Sequence, residues 1–150
     1  MWNFHCSLHI VLSVSSNRPG IVLVRCQITE YHYINELKSW KDAQQHCRDY
    51  YTDLATIQSI EDARKVPMPT NTLDWAWIGL FDDPVSWRGT MTADSNSWKW
   101  WSDGNPSTYT NWLSGQPDGV GDCFFLSSNY FWDDDNCDTH KKFVCQNGKI

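Results

Sequence analysis

The sequence predicts an α+β domain held together by disulfides. Helix-start signatures fall in its first half, and short runs of aromatic and β-branched residues fall in its second. Six cysteines stand at wide, irregular spacings. Helices first and strands afterwards is the order of an α+β fold, not of alternating βαβ units. At 150 residues the chain suits one domain and can bury a real core.

Residues 1–27 read as an N-terminal extension and 28–150 as the folded domain. Leu8–Val14 (LHIVLSV) has the length of a signal-peptide apolar region, and Ser13-Val14-Ser15 offers small residues for cleavage. No Lys or Arg precedes that run, and neither it nor any later segment is long enough to span a membrane. After Cys26, ITEYHYI alternates apolar and polar side chains and reads as a strand. Ser39-Trp40-Lys41-Asp42 has the form of a capping box, opening a helix with Trp40, Ala43 and Cys47 on one face. Ser59-Ile60-Glu61-Asp62 repeats the signature for a short second helix that Pro67 must end.

WAWIGL (Trp75–Leu80) reads as an apolar strand. From Phe81 to Gly121 the chain is dense in Gly, Pro, Asp, Asn and Ser, which predicts a long loop. Trp87, Trp98, Trp100, Trp101 and Trp112 predict that this loop is ordered around a small core of its own. CFFLS, YFWD and KFVC supply three short strands at the end.

Composition excludes several functions. A net charge of −6 with no basic patch argues against nucleic-acid binding. No C-x-x-C occurs, and the Cys137/His140 pair has no second pair to complete a zinc site. The cysteines therefore read as disulfides formed in an oxidising compartment, which predicts a secreted, extracellular protein. His32, His46 and His140 are isolated, and no nucleophile motif accompanies them, so no enzyme is expected. Acidic residues gather in GQPDGVGDC (Gly115–Cys123) and FWDDDNC (Phe131–Cys137). In Gly-rich loops such residues are commonly solvated turn formers. Neither stretch has the spacing of an EF-hand loop.

Read together, the region from Trp40 to Cys47, LATIQSIEDA, WIGL, WKWWSDG, NWLSGQPD, FWDDDNC and FVC resemble C-type lectin-like domains, in the family's order. The resemblance covers about Tyr31 to Gln146, and the wording is most similar to the single-domain lectins of fish. It implies two disulfides, Cys47–Cys145 and Cys123–Cys137, and leaves Cys6 and Cys26 outside the match. It also implies one Ca²⁺ at the end of the long loop, where a Gln-Pro-Asp triplet with a cis proline meets a Trp-Asn-Asp triplet.

Carried over residue by residue, Gln116, Asp118, Asp133 and Asp134 would hold both the ion and the sugar, with Asp122 as a further metal ligand. Such a site suits Ca²⁺, which takes carboxylate and amide oxygens and leaves positions for two sugar hydroxyls. Gln before Pro and Asp after it place donor first and acceptor second, the galactose-type order. The partners implied are galactose-type glycans, and self-association into a homo-oligomer stays open. Two positions depart from the family pattern. Gly121 stands where intact sites carry Glu, and Asp133 stands where Asn is usual. Such departures keep a second reading in view, a calcium-independent protein- or surface-binding module on the same scaffold.

Overall fold

In the computed structural model of the chain, the described residues are 28–82, 99–104 and 107–148. The N-terminal extension with Cys6 and Cys26 lies outside them, as do Trp87 and Trp98. The first strand, β1 (Glu30–Lys38), runs into α1 (Trp40–Tyr50). The Ser39 hydroxyl accepts the Asp42 N–H at 3.2 Å and donates to the Asp42 carboxylate at 2.8 Å, so the helix starts where its cap satisfies it. Trp40, Ala43, Gln44 and Cys47 are buried, the stripe expected of a helix lying on a sheet.

The second helix, α2 (Ile60–Lys65), repeats the device. Ser59 accepts the Asp62 N–H at 3.1 Å, and the Asp62 carboxylate accepts the Gln58 N–H at 3.3 Å. Its last turn gives way to extended backbone at Val66, the residue before Pro67, where a proline disfavours helix.

The remaining strands are β2 (Asp53–Leu54), β3 (Trp75–Asp82), β4 (Lys99–Trp101), β5 (Cys123–Ser127), β6 (Trp132–Asp135) and β7 (Lys141–Asn147). They join in one sheet of order β1-β7-β3-β5-β6, with β2 on β7 and β4 on β3. The β3–β7 pairing is parallel and the other strand pairings are antiparallel. Two parts of the expected loop are strand instead. Phe81 and Asp82 extend β3, and Lys99–Trp101 pairs with Leu80–Asp82. Trp101 is fully buried, so this part of the loop joins the main core rather than building a separate one.

One face of the sheet carries Ile78, Phe124, Leu126, Trp132 and Val144 under α2, and the other carries Trp77, Phe125 and Phe143 against α1. Burying each such side chain contributes about 1.5–3 kcal/mol. Cys47–Cys145 joins α1 to β7 with Cα atoms 5.3 Å apart, and Cys123–Cys137 joins β5 to the turn after β6 at 5.1 Å. Both pairings are those the resemblance implied. No helix among the described residues is long and apolar enough to cross a membrane.

Candidate functional site

The site forms at the free edge of the sheet, where β6 meets the chain running from Trp112 to Cys123. Trp132 anchors it. Its ring is fully buried, with the rings of Trp101, Tyr109 and Trp112 edge-on to it at 5.4–5.8 Å between centroids. Backbone bonds from Leu113 N–H to Trp132 carbonyl (2.9 Å) and Trp132 N–H to Asn111 carbonyl (2.8 Å) lay the incoming segment beside β6. Gly115, at φ +90°, then turns the chain in a conformation that a side chain would strain. The Gln116–Pro117 bond that follows is cis.

Three of the five expected ligand residues, Gln116, Asp118 and Asp134, are hydrogen-bonded together here, and Asp133 lies within reach of their charge. The Asp118 N–H donates to Gln116 Oε1 at 2.8 Å and to Asp134 Oδ1 at 3.1 Å, linking triplet to triplet. Asp134 Oδ2 accepts the Gly121 N–H at 3.0 Å. Asp118 Oδ1 accepts the Val120 N–H, and Asp133 Oδ1 accepts the Asp134 N–H. Burial, then the charges of Asp134 and Asp118, raise the Asp133 carboxyl above the usual aspartate range, against the lowering effect of the Asp134 N–H and of Lys141.

The pairing of Asp133 with Phe125 and of Asp134 with Phe124 assigns the two adjacent carboxylates to opposite faces of the sheet. Asp134 is 7% exposed. Asp122 stands apart: its carboxylate is exposed, and its carbonyl accepts the Asp82 N–H at 2.8 Å.

Gly121 stood out in the sequence as a departure from the family pattern, and the structure adds the close approach that the sequence did not signal. A Cβ there would lie 1.9 Å from the Asp135 carbonyl carbon and 2.0 Å from its oxygen. The backbone of the loop therefore lies directly on β6, and the Glu usual at this position has no room. Asp135 itself turns to the other side and pairs with Lys141 at 2.7 Å. Burial would raise its carboxyl, but the Lys141 hydrogen bond and the Asn136 N–H hold it below the usual range. Lys141 Nζ also sits over the rings of Phe125, Trp77 and Trp75 at 4.4, 5.2 and 5.6 Å.

In kind, these donors suit a hard cation. Asp118, Asp133 and Asp134 form no ion pair among the described residues. Each carboxylate oxygen has lone pairs beyond those its hydrogen bonds use. Their side chains are not drawn in to ligating distance, however. Among the described residues no three His, Cys, Asp or Glu are grouped closely enough to hold a metal ion.

Residues 36–147 match the family model for the lectin C-type domain. The chain belongs to the C-type lectin domain family. A C-type lectin of Erythrolamprus poecilogyrus, lectoxin-Lio3, is 32% identical over 125 residues, 79% of this chain and 74% of that one. Human asialoglycoprotein receptor 2 is 27% identical over 94% of this chain, which spans 45% of the receptor. Among solved structures, the carbohydrate-recognition domain of mouse scavenger receptor C-type lectin superposes with a TM-score of 0.66 at 29% identity. That match covers 81% of this chain and 92% of the mouse domain. Herring type II antifreeze protein superposes at 0.65 with 25% identity, over the same shares of each chain. C-type lectin domains are non-enzymatic binding modules and generally bind Ca²⁺.

Proposed function

We propose that this C-type lectin domain is secreted and binds carbohydrate non-covalently at the edge of β6, in a calcium-dependent manner with a galactose-type preference. The observation that carries the proposal is the hydrogen-bonded linking of Gln116, Asp118 and Asp134, with Asp133 near enough to feel the charges of both aspartates and none of the three carboxylates in an ion pair among the described residues. Their oxygens would hold the ion, which when bound supplies coordination positions for two neighbouring sugar hydroxyls.

The chain's own groups decide which sugar fits. Gln116 Oε1 is engaged by the Asp118 N–H, which leaves the Gln116 amide NH₂ to donate. Asp118 accepts a hydroxyl proton, completing the donor-first order. Asp133 accepts as well, where the usual Asn would donate, so sugar affinity is lower by about 1 kcal/mol for one missing hydrogen bond.

Calorimetric titration with Ca²⁺, followed by galactose and then mannose, tests the reading. Heat from galactose only after calcium is the expected result, and Gln116→Glu with Asp118→Asn should swing the preference towards mannose. Calcium binding without affinity for either sugar at millimolar concentration would defeat the sugar assignment. One observation favours a second reading, a calcium-independent module that binds a protein or another surface. A Cβ at Gly121 would collide with the Asp135 backbone, which leaves no room for the Glu that the resemblance implies at an intact site. No response to calcium in the titration selects that reading.

A further inference from the structure

We infer that Asp134 is a positioning residue that shapes the 116–121 loop by itself, without calcium. Three observations converge on it. The carboxylate is buried, with the residue 7% exposed, yet it has no cationic partner among the described residues. Its two oxygens are divided between two backbone amides of the loop, Asp118 at 3.1 Å and Gly121 at 3.0 Å. Those amides flank the segment that lies on the β6 backbone, where even a Cβ on Gly121 would collide with Asp135.

A charged acceptor holds an amide about twice as strongly as a neutral one, and a carboxylate offers two such oxygens at once. The side chain therefore ties both ends of Asp118–Gly121 to a strand that is itself fixed by Trp132 and by Cys123–Cys137. Lone pairs left on each oxygen allow Asp134 to contribute to an ion as well, so clamping and ligation do not compete. Gln116 and Asp118 owe their placement to this clamp, since Asp118 donates its N–H into it.

This rests on the proposed site for its purpose but not on calcium for its mechanism, and the two fail separately when the protein is kept in EDTA. Amide hydrogen exchange over 116–122 is compared for the unmodified protein, Asp134→Asn and Asp133→Asn. Asp134→Asn turns one acceptor into an NH₂ that faces an amide donor. Asp133→Asn removes the same charge and leaves both hydrogen bonds in place. In EDTA the Asp118 and Gly121 amides should be protected in the unmodified protein. Asp134→Asn should exchange them about tenfold faster or more, the effect of losing a hydrogen bond to a charged acceptor. Asp133→Asn should leave them within about twofold, and exchange in β1, β3 and β7 should be unchanged in both variants. Equal exchange in Asp134→Asn and the unmodified protein would overturn the inference, as would equal loosening by both variants. If Asp134→Asn does not fold, unprotected Asp118 and Gly121 amides in the unmodified protein with EDTA overturn it directly.

Discussion

Asp53 and Asp134 are each 7% exposed, and their surroundings are opposite. Asp53, on β2, accepts from the Ser102 hydroxyl and from the Leu54 N–H on one oxygen, and from Arg48 at 3.3 Å on the other. Arg48 goes on to the Ser102 carbonyl at 3.0 Å, and Gln44 reaches the Ser102 hydroxyl at 2.8 Å. Charge, donors and acceptors close on one another there, and α1, β2 and the exit of β4 are joined. Asp134 has two backbone amides, no cation among the described residues, and the charges of Asp118 and Asp133 nearby. The domain is complete at the first carboxylate and incomplete at the second. One carboxylate is neutralised within the fold, whereas the other sits in a field that a ligand from outside can relieve.

The largest effect should come from unstapling the complete side. Replacing Cys47 and Cys145 by Ala opens a cross-link spanning 98 residues, for which chain entropy gives a loss of about 4–5 kcal/mol. Guanidinium unfolding measures it. A loss under about 1 kcal/mol would mean that the core alone holds α1 on β7. Next, Asp53→Ala leaves the Ser102 hydroxyl proton without its acceptor and Arg48 without its carboxylate and should cost about 3 kcal/mol, moderated because the Arg48 side chain is 44% exposed. The same denaturation reads it.

At the other end, adding rather than removing is informative. Calcium at a hundredfold excess over its Kd should stabilise the unmodified protein by about 2.7 kcal/mol, seen as a rise in Tm that EDTA reverses. An unmoved Tm would make the two carboxylates alike after all.

The smallest effect sharpens the comparison through pH. The Asp133 carboxyl is raised in the folded state, so its contribution is present below the unfolded value and is lost as pH rises. In EDTA, Asp133→Asn should match the unmodified protein near pH 3 and become the more stable of the two by pH 6, by less than about 1 kcal/mol. Asp74 has the opposite sign. Burial raises it, but Lys142 and Tyr33 bring it below the usual range, so its contribution falls away in acid in both proteins. A stability gap that is constant with pH would show that neither burial nor neighbouring charge raises the Asp133 carboxyl.

The parts of the molecule legible in the sequence are those decided over a few residues. Ser39 and Ser59 cap helices through atoms three positions away, and Pro67 ends a helix through its own ring. Strands such as WAWIGL and CFFLS declare themselves by composition, and the resemblance carried the two disulfides and the triplets at 116–118 and 132–134. Tertiary structure alone decided the rest. Lys99–Trp101 is a strand only because Leu80–Asp82 lies beside it, since three residues cannot choose that conformation unaided. Asp53 and Asp134 are the same residue in one dimension. Arg48 neutralises one and Ser102 hydrogen-bonds it, while among the described residues Asp118 and Gly121 approach the other with backbone amides. Gly121 stood out in the sequence only as a missing Glu, because the need for a missing Cβ exists only once the loop lies on Asp135. Local propensity is a property of neighbouring residues along the chain, but charge compensation and close backbone approach are properties of residues that only packing brings together.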